Sequence, residues 1–196
     1  MADLTRLQQN LKARGFLYRY FPTAQEAAAY LNSAIDGVSV GIGGSQTVKE
    51  LGLYPMLCFH NQVVWHWEGG ALTDAMRTDI YLTSANAIAE TGELINIDGN
   101  SNRVASSVFG HKKVYFIAGI NKVTPDFDAA LYRARNVAAP KRAQSLGRET
   151  PCAARADRCY DCKSPQRVCK SLMVYWGKSG GLEEAEVVVI GQPLGM

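Results

Sequence analysis

Three stretches of the chain carry residues whose types and spacing could do chemistry. The first is GIGGSQTVKELG, from Gly41. Gly43 and Gly44 allow a tight turn after an apolar run. Ser45 and Thr47 add hydroxyls where a following helix would present unpaired N–H groups to an anion. The stretch lacks the Gly-Lys-Ser/Thr of a Walker loop and the third glycine of a dinucleotide-binding turn, so neither nucleotide motif applies. It reads equally as a strand-to-helix turn with a capping serine. The second is SANAIAETGELINIDGNSNRVA, which places Asn86, Glu90, Thr91, Asp98, Asn100, Asn102 and Arg103 within 18 residues among apolar neighbours. Glu90, close to Gly92, suits a general base or a nucleophile, and Arg103 suits a two-pronged clamp on a carboxylate or phosphate. The alternative for IDGNSN is a turn built from Asn, Asp and Gly for backbone reasons. The third is CAARADRCYDCKSPQRVC, in which Cys152, Cys159, Cys162 and Cys169 are spaced C-x6-C-x2-C-x6-C. Four thiolates can complete a tetrahedral zinc site or hold an iron–sulfur cluster. The outer spacings are longer than in zinc knuckles and do not match a ferredoxin run, so reduced structural thiols and adventitious disulfides stand beside the metal reading. Cys58, alone in an apolar segment, reads as core. His60, His66 and His111 share no ligand spacing.

The elements that must position these residues can be read from periodicity. Leu4, Leu7 and Leu11 fall at helical spacing after Asp3, a cap, and Gly15 ends that helix. FLYRYF reads as a strand. TAQE is a capping box opening a helix that runs to Gly37, and VSVGIGG is a strand feeding the glycine turn. Ser45 or Thr47 can cap the next helix, with TVKE as a second capping box, and Gly52 stops it. VVWHW and DIYLTSA read as strands flanking a short LTDAMRT helix, with Trp65 and Trp67 on one strand face. AIAETGELINIDG reads as a hairpin turning at Thr91-Gly92, and SNRVASSVFG as a helix closed by Gly110. KVYFIAGI is apolar throughout, the pattern of a strand buried on both faces. Pro125 starts a helix through DFDAALYRARNVAA, with acids early and arginines late, and Pro140 is expected to break it. LMVYW and AEVVVIG supply two last strands. Alternating helices and strands predict an α/β fold, a mostly parallel sheet flanked by helices, in one domain over 1–196 with the Cys-rich segment 150–170 inside it.

Composition narrows the partners. The chain has 196 residues, 47% hydrophobic and 20% charged, enough for one α/β core. No apolar run reaches the roughly 20 residues needed to cross a bilayer. The polar start MADLTRLQQNLKARG lacks the apolar centre of a signal peptide, so a cytoplasmic location is expected, where thiols stay reduced. The net charge of +3 hides an asymmetry. Residues 133–170 hold ten Lys or Arg against three Asp or Glu, a local excess of +7 that leaves −4 for the remainder. Cations around four thiolates would offset a negatively charged metal centre, and a solvated basic face is the plainer account. Nucleic acid is disfavoured as a partner, because the basic residues are not interleaved with aromatics and match no groove-reading module. Self-association is left open.

GIGGSQTVKELGL, followed by DIYLTSANAIAETGELINIDGNSNRVASSVFGHKKVYFIAGINKV, resembles the lactate-utilisation (LUD) domain family, which includes lactate utilization protein C. The resemblance runs from about Gly41 onward. The tail RNVAAPKRAQSLGRETPCAARADRCYDCKSPQRVCKSLMV looks like that of its single-domain, cysteine-bearing branch. The resemblance implies a fold like the ribose-5-phosphate isomerase, glucosamine-6-phosphate deaminase and CoA-transferase group. It also implies a link to the oxidation of L-lactate, where related proteins act beside iron–sulfur subunits. Carried over by position, the family pattern falls on Gly43, Gly44, Ser45 and Thr47, then Asn86, Glu90 and Gly92, then Asp98, Gly99, Asn102 and Arg103. The expected site is a pocket at the carboxyl ends of parallel strands that takes a small anionic metabolite. In it the Gly43–Thr47 turn holds one end, Asn102 and Arg103 hold the other, and Glu90 stands nearest the chemistry. By fold-level analogy, AETG is similar to the glutamate that serves some CoA-transferases as acyl acceptor. The rival expectation is an accessory or electron-transfer subunit whose cysteines hold zinc or an iron–sulfur cluster.

Overall fold

The computed structural model describes residues 2–196. Asp3 accepts a hydrogen bond from the Arg6 amide and opens α1 (Leu4–Ala13), and Gly15, at φ +83°, lets the chain leave it. Strand β1 (Leu17–Phe21) leads to α2 (Ala24–Ala34), opened by a full capping box between Thr23 and Glu26. Strand β2 (Ser39–Ile42) runs into the glycine turn. Ser45 then caps the short α3 (Gln46–Glu50), and α4 (Leu53–Cys58) comes directly after. Next come β3 (Gln62–Trp65), a 3-10 turn at His66–Glu68, α5 (Leu72–Ala75) and β4 (Ile80–Thr83). Strands β5 (Ala87–Ala89) and β6 (Leu94–Asp98) form the hairpin, followed by α6 (Asn102–Ser106) and β7 (Lys113–Gly119). A 3-10 turn at Ile120–Lys122 precedes β8 (Val123–Thr124). Helix α7 (Phe127–Arg133) passes through a π-helical turn, Ala134–Ala138, into α8 (Ala139–Ser145). Helix α9 (Pro151–Arg155) and strands β9 (Ser171–Tyr175) and β10 (Glu184–Ile190) complete the chain.

Six strands form a parallel sheet in the order β1-β10-β7-β4-β2-β3. Its central strands are apolar at nearly every position because both faces are covered. Along β7, Val114, Phe116 and Ala118 face one core and Tyr115 and Ile117 the other. The second core lies under α2, α3 and α4, through Ala27, Leu31, Val48, Leu53 and Leu57. The first lies under α1 and a second sheet, of order β8-β5-β6-β9, which contributes Ile88, Leu94 and Tyr175. That small sheet pairs β5 with β6 and β6 with β9 antiparallel. Its outer face packs Ala87, Ala89, Ile95 and Ile97 against Ala130, Ala134 and Ala139 of the α7–α8 helix. No helix among the described residues is long and apolar enough to cross a membrane.

The structure differs from the sequence expectations in four places. Pro140 does not break its helix. It occupies the first turn of α8, directly after the π-helical turn, where a missing N–H leaves no bond of α8 broken. VVWHW is not all strand: β3 stops at Trp65 and the chain turns through His66–Glu68, although the Trp65 and Trp67 rings still pack at 5.1 Å. Cys58 is exposed at the end of α4 rather than in the core. The small second sheet is not foreshadowed by the sequence pattern, since β5 and β8 are only three and two residues long.

Candidate functional site

A cavity of ≈ 250 Å³ opens at the carboxyl ends of three neighbouring strands, β2, β4 and β7. The segments just beyond these strands line it: Gly44 and Ser45 after β2, Ser84 after β4, and Lys122 after β7. This is where loops of an open parallel sheet diverge and leave a crevice. The walls come from the β6–α6 loop (Asp98, Asn102, Arg103), from α8 and the chain after it (Arg142, Arg148), and from Arg167 and Lys170 ahead of β9.

Charge sets the character of the cavity. Six basic side chains line it: Arg103, Lys122, Arg142, Arg148, Arg167 and Lys170. Among the described residues only one Asp or Glu, Asp98, lines it with them. The Asp98 carboxylate is committed to its own loop. It accepts from the amides of Asn100, Arg103 and Val104 at 3.2, 3.1 and 3.4 Å, and pairs with Arg103 Nε at 3.5 Å. This arrangement orients Arg103, whose remaining reach is to the Ile97 carbonyl at 2.7 Å. Arg142, seated on the Trp67 ring at 5.3 Å, has its pKa lowered by burial and by the Arg103 and Arg148 charges. The His66 pKa is lowered too, by burial first and then by the Arg142 and Arg103 charges, and its buried Nδ1 has no hydrogen-bond partner.

Lys122 is the most unusual group. It is 4% exposed, and Nζ donates to Thr47 Oγ1 at 2.8 Å and Ser84 Oγ at 2.9 Å. Burial, reinforced by the Arg133 and Arg103 charges, brings its pKa down from 10.5 to about 7. Arg133, also buried, is pushed down to about 10 by burial and donates to the Asn121 and Asn86 carbonyls.

Most residues singled out from sequence meet here. Gly44, Ser45, Asn86, Asp98, Asn102 and Arg103 line the cavity. Ser45 Oγ accepts from the Val48 amide at 3.2 Å, so the hydroxyl is a helix cap as well as a lining group. Helix α3 has only five residues, too short to act as an anion site by its dipole. Asn86 Oδ1 accepts from the Ile97 amide at 2.6 Å, which fixes the side chain. Thr47 lies one layer below, holding Lys122. Gly43 lies behind Arg103: a Cβ there would sit 3.1 Å from Arg103 Cγ and 2.7 Å from Tyr81 Oη. Glu90 does not join them, which corrects the expected pocket. Its carboxylate accepts from the Asp3 amide at 2.8 Å and pairs with Arg6 at 3.4 Å, so it ties the hairpin to the start of α1. The cause is local: Glu90 leaves β5 at its far end, toward the Thr91-Gly92 turn, whereas the cavity lies at the Asn86 and Asp98 ends of the hairpin. Sequence reading misses Lys122, His66, Arg142, Arg148, Arg167 and Lys170. The basic excess of 133–170 is the available signal for four of these, although in the sequence it stands beside the cysteines and draws attention to them.

The four cysteines, Cys152, Cys159, Cys162 and Cys169, line a second cavity, also ≈ 250 Å³. All are free thiols. Two receive N–H contacts, from Arg167 Nε to Cys169 Sγ at 3.3 Å and from the Asp161 amide to Cys159 Sγ at 3.4 Å. Among the described residues no group of three or more His, Cys, Asp or Glu is drawn together as a metal would require.

The fold and the cavity define an α/β protein with a parallel central sheet and a cation-lined crevice at its strand ends. The LUD domain model matches residues 4–190, and the chain belongs to that family. A solved structure, that of a DUF162 family protein from Deinococcus radiodurans, superposes with a TM-score of 0.60 over 96% of each chain at 16% identity, a likeness of fold. No curated protein matches the chain.

Proposed function

We propose that the cavity at the ends of β2, β4 and β7 binds a small anionic metabolite, an organic acid or a phosphorylated compound, in the service of L-lactate or organic-acid utilisation. The observation that carries this reading is the charge imbalance of the lining: five cations besides Lys122, namely Arg103, Arg142, Arg148, Arg167 and Lys170, against one carboxylate already engaged by its own loop. Cations crowded in a partly buried crevice repel one another, and an anion relieves that repulsion. Arg103, held by Asp98 and the Ile97 carbonyl, would grip one end, with Asn102 and Asn86 as polar neighbours. Membership of the LUD family supports the link to lactate. On this reading the protein works in the cytoplasm beside iron–sulfur subunits that oxidise lactate. The test is calorimetric titration with L-lactate, pyruvate, sugar phosphates and CoA esters. At least one should bind, and Arg142→Ala should weaken it about tenfold, as expected for loss of a charge-assisted contact. Failure of every ligand to bind, or binding indifferent to Arg142, would sink the reading.

A second reading has its own observation: all four cysteines line one cavity. On it the protein is an accessory or electron-transfer subunit, and Cys152, Cys159, Cys162 and Cys169 hold zinc or an iron–sulfur cluster. The donor set suits either group. The thiols do not converge as they stand, so a metal would have to draw them inward. Anaerobic purification with metal analysis decides it. One zinc in a colourless protein supports a clasp, and iron with a brown colour supports a redox centre. A metal-free protein with titratable thiols overturns both.

A further inference from the structure

We propose that Lys122 is a nucleophile that captures the carbonyl carbon of an aldehyde or ketone carrying an anionic group, such as a 2-oxo acid or a phosphorylated ketone, as an imine. This rests on the anion-binding reading above, because the lining cations bring the substrate to Nζ, and it adds the class of substrate.

The geometry is that of an amine prepared to use its lone pair. A neutral lysine amine has two N–H bonds and one lone pair. Both N–H bonds have hydroxyl acceptors, Thr47 Oγ1 at 2.8 Å and Ser84 Oγ at 2.9 Å. Neither acceptor is a carboxylate that would favour the ammonium form. Arg133 and Arg103 oppose that form too, and they and burial outweigh Glu50, whose carboxylate favours it and is held by the Gly195 amide at 2.6 Å. The lone pair is left over, and the side chain lines the cavity. Gly195, at φ +65°, lies close to the same atom: a Cβ there would sit 3.1 Å from Nζ. A lysine needed only to neutralise an anion would keep its charge and would not need a dry seat between two hydroxyls.

The step balances without any further reactant. The Nζ lone pair attacks the carbonyl carbon and forms a C–N bond, while the C=O π pair moves to oxygen. A proton passes from nitrogen to that oxygen, giving a carbinolamine. With one proton taken from solvent, the hydroxyl leaves as water, and the nitrogen pair forms C=N⁺. The positive charge appears only after the anion is in place, and hydrolysis reverses the capture. At pH 7 about half of Lys122 is unprotonated, roughly a thousandfold more than for a surface lysine at 10.5.

The test incubates the full chain at about pH 7.5 with pyruvate, glyoxylate or dihydroxyacetone phosphate, reduces with borohydride and maps the adduct by peptide mass spectrometry. One reduced adduct per chain on Lys122 is expected. It should be lost in Lys122→Met and Lys122→Arg, and its yield should fall about tenfold for each pH unit below 7 as the amine protonates. The 2-oxo acids and the phosphorylated ketone distinguish a carboxylate from a phosphate handle. Binding of these anions by calorimetry without a Lys122 adduct overturns the inference and leaves the anion-binding reading standing. Neither binding nor adduct overturns both. Because the decisive adduct is sought on the unaltered protein, a variant that fails to fold does not shield the proposal.

Discussion

The cation-lined cavity and the four-cysteine cavity share a wall, built from Ile97, Ala139, Arg167, Val168 and Lys170, yet they are made differently. The first is bounded by strand ends whose polar groups are held in place: Asp98 by three amides, Asn86 by the Ile97 amide, Lys122 by two hydroxyls. The second takes three of its four cysteines, Cys159, Cys162 and Cys169, from residues 156–170, which form no helix or strand. That segment is tied down by a few bonds, such as Cys159 N to Asn136 Oδ1 at 3.1 Å and Glu149 N to Gln166 Oε1 at 3.1 Å. Preorganised groups can recognise a ligand without paying to be ordered first; groups on an irregular segment must be assembled by what they bind. The residues that attract the eye in the sequence are therefore the less organised of the two sets.

Arg103→Ala is the strongest way to break this comparison. It removes a positioned cation and strands Asp98, so anion affinity should fall about a hundredfold, the upper range for a charge-assisted pair. A loss under threefold by calorimetry would mean that the preorganisation has no bearing on binding.

Lys122 gives the next largest effect, through pH. Its folded pKa, about 7, lies below the ordinary 10.5, so between these values the unfolded chain binds the extra proton. Stability should therefore rise with pH across that window, by up to about 1.4 kcal/mol per unit. The full penalty applies below pH 7. Lys122→Met should flatten the slope in denaturant titrations repeated from pH 7 to 10. An unchanged slope would mean that the lysine is charged in its seat.

Gly43→Ala and Glu90→Ala separate the cavity from its scaffold. The new methyl at 43 would press on Arg103 Cγ and Tyr81 Oη. It should cost about tenfold in anion affinity if Arg103 is displaced by a fraction of an ångström. Glu90→Ala should leave affinity unchanged and lower stability by about 1 kcal/mol, through loss of its bond to the Asp3 amide and a half-exposed pair with Arg6. If Glu90→Ala abolishes ligand binding in a folded protein, Glu90 does belong to the site after all.

These contrasts show what could be read from the sequence. The parallel sheet was legible because KVYFIAG and AEVVVI are almost wholly apolar, and the caps at Asp3, Thr23 and Ser45 because capping is local. Gly44, Ser45, Asn86, Asp98, Asn102 and Arg103 were legible because glycine turns and dense polar clusters stand out among apolar runs. Lys122 was not. It sits in INKV, where nothing local says that β7 will deliver its amine beneath Thr47 and Ser84, 75 and 38 residues away. Glu90 misled for the complementary reason. Its spacing from Gly92 is local, but its partners Asp3 and Arg6 are set by how α1 docks.

The subtlest prediction concerns the shared wall. Arg167 lines both cavities, with Nε on Cys169 Sγ at 3.3 Å and a terminal nitrogen on the Cys162 carbonyl at 2.9 Å. Cys169→Ser keeps a small polar atom at the position but removes the sulfur that raises the Arg167 pKa. Arg167 is then held more loosely, and anion affinity should change by only about two- to threefold, the scale of one weak hydrogen bond. If the cysteines instead gather around a metal, removing one ligand or chelating the metal would swing Arg167 with the whole segment, and affinity would change by about tenfold or more. Titrating the same anion into wild type, Cys169→Ser and chelator-treated protein measures how far the two cavities are one device. Identical affinities in all three would mean that the wall they share transmits nothing.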